Sequence, residues 1–354
     1  MTENFVPTAG AVHSTGTPYQ HWARNEGIPN YVGGYQPDLH TIELAPWPRM
    51  GQKGAFVNLD PYAEDDAYVM EIAPGGQTEE IHHCFEAMIL VLHGRGATTF
   101  WQPGRNKQTV EWQRGSLFAP PLNCYYQHFN LDGQADARLF AVTAAPMMIN
   151  QVRNPEFAFN NSFVFWERYG GEEDYFTDPG RAFPGGVWQT NFIPDLRGAS
   201  LVENDASSRG APQRIMHYVL SNNSMVAHCS DFPIGQYKKA HCHGGGAHIV
   251  ILEGSGYSYL NFEGEAPRRF EWKDGTLLSP QEGEYHQHFN TSPVLARDAA
   301  LRMGQLGTSN RKWSTWDNIR GVPYEAQDPA IYTTYVDECT KKGIEVRMPQ
   351  PAVA

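Results

Sequence analysis

The chain has little cysteine and arranges none of it in pairs. Cys84, Cys124, Cys229, Cys242 and Cys339 are odd in number and scattered, with no CxxC among them. That is the usage of a reducing compartment and excludes a disulfide framework. Basic runs are also missing: 27 Lys and Arg face 39 Asp and Glu, for a net charge of −12 and a pI near 5.6. Such a chain is a poor ligand for nucleic-acid phosphates or anionic membranes. No apolar run approaches the length that spans a bilayer, and the first residues carry neither a basic nor an apolar leader segment. A cytoplasmic protein that binds neither nucleic acid nor membrane is the expectation. Gly-x-Ser-x-Gly and HExxH are absent, so serine-hydrolase and zincin chemistry have no support. The run Gly244-Gly245-Gly246 leads into an apolar strand pattern, not a helix, and so is no phosphate loop.

Turn formers, in contrast, are plentiful: 34 glycines and 25 prolines punctuate short apolar stretches. Tyr68–Ala73 alternates and then turns at Pro74-Gly75-Gly76, and Ala87–Leu92 is a continuous apolar run closed by Gly94 and Gly96. This spacing predicts an all-β sandwich or barrel. The second half repeats the first at a constant offset of 160 residues: Gly75/Gly235, His83/His243, Ala87/Ala247, Gly94/Gly254, Trp112/Trp272, Pro120/Pro280, His128/His288 and Asn130/Asn290 are identical. Shared turn glycines and prolines mean shared backbone geometry, so one barrel is duplicated. The expected organisation is an irregular, aromatic-rich arm over 1–66, a first barrel over 67–150, a loop-rich segment over 151–215, a second barrel over 216–303 and a C-terminal extension over 304–354. In that extension Asp328 as N-cap, Pro329 at the first helical position and Gly343 as stop predict a short helix.

The chemistry concentrates in the second repeat. His241 and His243, one residue apart on a strand, share a face, and His286 from a later strand completes a set of three neutral imidazoles. Gly235-x5-His241-x-His243 with Gly254, followed by Gly275, Pro280, Gly283, His286 and Asn290, resembles the two motifs of the cupin superfamily. The whole resembles a bicupin: two tandem jelly-roll barrels, each a double-stranded β-helix. Many cupins add a glutamate to the three histidines; here that place is Ala247. In this respect the second repeat is similar to the gentisate 1,2-dioxygenase group, whose members bind Fe(II) through three histidines and cleave aromatic rings with O2. The resemblance implies a mononuclear Fe(II) site, with Mn, Zn or Ni as other candidate ions, a small aromatic or enolisable acid as substrate, and a homo-oligomer.

Around those ligands, His288 shares the parity of His286 and is the candidate proton carrier. Tyr257, Tyr259, Arg297 and His248 are candidate pocket residues, with Arg302 as a further carboxylate partner; by parity His248 also suits a packing role, and a core role for the two tyrosines is equally open. In the first repeat the ligand positions read Ile81, His83 and Tyr126, which makes that copy a degenerate barrel. Two other functions stay open: a non-oxidative cupin enzyme (decarboxylase, aminohydrolase, lyase or isomerase) using Mn, Zn or Ni as Lewis acid, and a non-catalytic binding bicupin.

Overall fold

A computed structural model describes residues 16–58, 64–204, 213–242, 247–304 and 320–349. Each repeat forms a larger sheet facing a smaller one, the β-on-β layering that buries an apolar face of each. In the first repeat, strands Gln52–Asn58, Asp66–Ile72, Ala137–Thr143, Ala87–His93 and Leu117–Phe118 lie side by side opposite Ile81–His82, Tyr125–Asn130, Arg95–Trp101 and Gln108–Gln113. In the second, Gln213–Leu220, Met225–Phe232, Ala296–Met303, His248–Glu253 and Leu277–Leu278 face His241–Cys242, Tyr285–Asn290, Ser255–Asn261 and Arg268–Lys273. Strand Gln52–Asn58 pairs with Asp66–Ile72, so the first barrel takes up residues that sequence reasoning placed in the arm.

Alternation along the strands divides the interior in two. Met88, Leu90 and Leu92 join Val250, Leu252 and Leu301 in one apolar layer between the barrels. The intervening Ile89 and Val91 point into the first barrel, and Ile249 and Ile251 into the second. This is why Ala87–Leu92 reads as a continuous apolar run: the strand is buried on both faces.

The two barrels exchange segments. Tyr35–Gln36, from the N-terminal arm, pairs with Leu277–Leu278 of the second barrel, and Phe192–Ile193, from the inter-barrel segment, pairs with Leu117–Phe118 of the first. Each crossing strand runs into the same tripeptide, Pro37-Asp38-Leu39 or Pro194-Asp195-Leu196. The backbone N–H of Leu39 donates to the Gly275 carbonyl and that of Leu196 to the Gly115 carbonyl, both at 2.8 Å. Both glycines have positive φ, 82° and 88°, and a Cβ on either would lie 2.2 Å from His40 or Asp195, so only glycine fits. A buried arginine completes each crossing. Arg138, paired with Glu71, donates to the carbonyls of Leu39 and His40; Arg297, paired with Asp231, donates to those of Leu196, Arg197 and Ala199.

The C-terminal helix Pro329–Lys341 forms as its capping residues predict, with Asp328 accepting from the Ala330 N–H at 2.9 Å and Gly343 at φ 68°. It lies on the outer face of the smaller sheet of the second barrel, where Tyr335 and Cys339 pack on Tyr237, Tyr257 and Phe289. Among the described residues no helix is long and apolar enough to cross a membrane.

One consequence of burial is a pH dependence of stability. Asp66, hydrogen-bonded to Tyr19 and Asn58 inside the first barrel, is pushed up to about 8 by burial, and Asp65 to about 7. Both carboxyls then hold protons in the folded chain that the unfolded chain has released, so stability falls as pH rises through this range and levels off above it. His83, His128 and His248, lowered to about 3 by burial, act in the opposite sense, but only below about pH 6.5, where unfolded histidine gains its proton. Urea midpoints should therefore fall between about pH 6.5 and pH 8, and Asp66→Asn should flatten that decline. An unchanged slope in the variant would refute the assignment.

Candidate metal centre in the second barrel

His241 sits on a two-residue strand paired directly with His286, so the two rings meet with centroids 4.2 Å apart. Both are buried, at 2% and 3% exposure. The Nδ1 of each donates to a carbonyl two residues upstream: His241 to Lys239 at 2.8 Å and His286 to Glu284 at 3.1 Å. A ring nitrogen facing a carbonyl must carry the proton, which makes Nε2 the lone-pair nitrogen in both rings. That tautomer, held by a backbone carbonyl behind the ring, is the one a metal ligand needs; among the described residues no group of three metal-ligating side chains forms, so these two imidazoles are the donors on view. His243, the third ligand expected from the sequence, lies outside the described residues, as do Gly244–Gly246.

His288 shares the inward face, with its ring 5.5 Å from that of His286. Its Nδ1 contacts the Ser258 hydroxyl at 2.7 Å, and its counterpart His128 contacts Thr98 at 2.6 Å in the same way. The bond is thus built into both barrels, including the one without the ligand set. Beyond His288 come Phe232, 5.8 Å from it between centroids, and the Lys238 ammonium, 3.8 Å over the Phe232 ring. Lys238 Nζ lies 3.0 Å from Ser230 Oγ and 3.7 Å from Asp298, and Ser230 donates to Asp298 at 2.6 Å. These three residues are at most 4% exposed. His217 and His228, direct cross-strand partners with rings 5.5 Å apart, are further histidines buried in this barrel.

Sequence reasoning missed Lys238, Asp298, His217 and His228. The same 160-residue comparison carried the signal: Lys238 replaces Thr78 and His228 replaces Tyr68, while Asp298 takes the place of Leu139, one residue out of register because the loop after Asn290 is one residue shorter than the loop after Asn130.

The four candidate pocket residues are placed elsewhere. Ser258 is the inward residue of its strand, so Tyr257 and Tyr259 face outward beneath the C-terminal helix, where Tyr257 stacks on Phe289 at 4.5 Å. Arg297 is turned to the segment crossing between barrels, with its guanidinium engaged by Asp231 and three carbonyls. His248 points into the layer between barrels, 3.9 Å from Asp65 and near Phe140. Burial lowers it to about 3, so this imidazole is neutral and the contact is not an ion pair at neutral pH. Arg302, lowered to about 10 by burial, lies in the electrostatic field of the same Asp65.

In the first barrel the equivalent position is closed to a metal. His83 Nδ1 donates to the Phe85 carbonyl at 2.8 Å, and its Nε2 accepts from the Tyr126 hydroxyl at 2.7 Å, which in turn bonds to Tyr68. Ile81 stands where His241 stands in the second copy.

No protein-family model matches the sequence, and no curated protein matches it. Solved structures do match. An oxalate decarboxylase of Bacillus subtilis, described for its Mn(II) centres, superposes with a TM-score of 0.52 at 13% identity over 86% of this chain and 84% of its own. The Lactobacillus farciminis oxalate decarboxylase formate complex superposes with a TM-score of 0.52 at 12% identity over 88% of this chain and 96% of its own. The fold is a bicupin. At this identity the likeness concerns architecture alone, and the superposition spans most of both chains.

Proposed function

We propose that this bicupin is a metal-dependent enzyme with one working centre, in the second barrel, that carries out non-oxidative chemistry on a small carboxylic acid, decarboxylation being the leading form. The observation that carries the proposal is the contrast between two barrels of common origin. Where the first has Ile81, Tyr126, Thr78 and Leu139, the second has His241, His286, Lys238 and Asp298. A buried charge pair is costly unless it is used, so the Lys238–Asp298 pair, absent at the equivalent positions Thr78 and Leu139 and lying in the barrel with the ligand set, points to a site. His241, His286 and, from the sequence, His243 would hold the ion. Mn is the first ion to test, in keeping with the Mn(II) centres of the B. subtilis neighbour. A bound divalent ion supplies Lewis acidity toward an oxygen of the substrate.

The protein's own groups do the rest. The Lys238 ammonium, fixed by Ser230 and Asp298, places positive charge near the imidazoles to receive a carboxylate. Phe232 and the aliphatic walls Ala247, Ile249 and Ala300 keep water out, which strengthens that attraction. His288, oriented through Ser258, is the residue placed to move a proton.

Replacing Lys238 alone would strand Asp298, so the informative variant carries the first barrel's residues, Lys238→Thr with Asp298→Leu. Turnover should fall about 100-fold with metal content unchanged. Unchanged turnover would remove Lys238 from the mechanism.

A second reading is favoured by Ala247, which is buried where many cupins carry a ligating glutamate. Three neutral imidazoles suit Fe(II) and O2 chemistry on an aromatic or enolisable acid, as in the gentisate 1,2-dioxygenase group. Metal-loaded protein assayed with a panel of small acids separates the two. CO2 release under nitrogen supports the first, and substrate-dependent O2 uptake by the iron form alone supports the second.

A further inference from the structure

A cavity of about 630 Å³ lies in the first barrel, away from the histidine pair. Helix Pro18–Asn25 covers it, anchored by the Tyr19 N–H donating to Asn150 and by Trp22 stacked on Phe159 at 5.3 Å. Its wall is aromatic, with Tyr19, Trp22, Trp47, Phe56, Tyr68 and Phe85 prominent, and Ile81 and His83 also line it. The volume lies within the range of small-molecule sites, which are mostly apolar with a few polar groups that fix orientation.

The charges around it identify the ligand class. Among the described residues Arg49 is the only Lys or Arg that lines the cavity, and it is already neutralised: Glu26 accepts from its Nε at 2.8 Å and its Nη2 at 2.6 Å. The same guanidinium lies 4.2 Å over Phe159. Glu80 adds a further carboxylate to the lining, so an anion would meet negative charge without a cation to balance it. The lone pair of His83 is taken by Tyr126. The Trp22 indole N–H is shielded from the cavity as well as from solvent, so recognition there falls to the aromatic faces of the wall.

We propose that the first barrel is a second binding site, for a small planar, uncharged aromatic molecule that stacks on this aromatic wall. The site is separate from the metal centre and does not depend on the chemistry assigned there.

Calorimetric titration of the full-length, metal-loaded protein at pH 7 with 2-naphthol, alone and in competition with 2-naphthoate so that naphthoate held at the metal centre is not counted, tests this. One 2-naphthol should bind per chain, and 2-naphthoate at least about tenfold more weakly, because the cavity offers no unpaired cation. Ile81→Trp, which fills the cavity, should weaken 2-naphthol at least about tenfold. Trp22→Ala, which removes one ring of the wall, should weaken it at least about fivefold. Should Ile81→Trp not fold, the Trp22→Ala result decides alone. His286→Ala should leave 2-naphthol binding unchanged. Absent binding, equal or tighter binding of the naphthoate, indifference to the Trp22 change, or loss in His286→Ala would each overturn the proposal.

Discussion

His286→Ala should lower the affinity of the protein for a divalent ion by at least about 100-fold, since changing groups that merely support a metal ligand already costs about 10–100-fold. The Nδ1–H of His286 is held by the Glu284 carbonyl and its ring meets that of His241 at 4.2 Å, so removal leaves an ion one imidazole short and opens a buried gap no neighbouring donor fills in the described structure. His83→Ala in the first barrel is the matched control. That imidazole is equally buried but spent on Phe85 and Tyr126, so its loss should leave ion affinity unchanged. Equilibrium dialysis against Mn(II) with metal analysis of both variants checks the pair of expectations. Equal losses, or a loss only in His83→Ala, would place the centre in the wrong barrel.

Arg297→Ala should destabilise the protein by about 3–5 kcal/mol, the usual cost of removing one partner of a buried ion pair. The side chain is 8% exposed, and its guanidinium serves Asp231 together with the carbonyls of Leu196, Arg197 and Ala199. Without it three carbonyls of the segment crossing from one barrel to the other lose their guanidinium donor at once, and a buried carbonyl left unsatisfied is costly. Arg214, 2.5 Å from the other oxygen of Asp231, remains to hold that carboxylate and places the effect toward the lower end. Arg138→Ala should behave alike, since it joins Glu71 to the opposite crossing. Urea unfolding gives the stability change, and turnover of the folded fraction should stay within about twofold of the parent, because Arg297 lies outside the barrel interior. Lost turnover at unchanged stability would return Arg297 to the substrate pocket.

These two arginines also show where the sequence stopped being readable. The duplicated barrel was legible because turn glycines, Trp112/Trp272 and Asn130/Asn290 recur at one offset, and each fixes local backbone geometry. The pairing of His241 with His286 was legible from the two cupin-like motifs, Gly235-x5-His241-x-His243 and Gly283 with His286 and Asn290, not from the repeat, which has Ile81 and Tyr126 at those places. The exchange of segments was not. Pro37-Asp38-Leu39 and Pro194-Asp195-Leu196 recur 157 residues apart, not 160, and each finds its partner strand in the other barrel, a relation that no local pattern encodes. Arg297 read as a candidate for substrate because a lone arginine on an apolar strand carries no mark of the three carbonyls that meet it. Tyr257 and Tyr259 were open to either face until Ser258, bonded to His288, fixed the parity of their strand. Lys238 and Asp298 are eight and 68 residues from the serine they share, so their convergence is a property of the fold alone.

The central claim is that one ion sits between His241 and His286 and that the first barrel holds none. Crystals of Mn-loaded protein, with anomalous scattering recorded at the manganese edge, test it most directly. The account predicts a single anomalous peak per chain, within coordination distance of Nε2 of both histidines, and none near His83. A peak beside His83 and Tyr126, or metal-loaded protein with no peak at the His241–His286 pair, would contradict it.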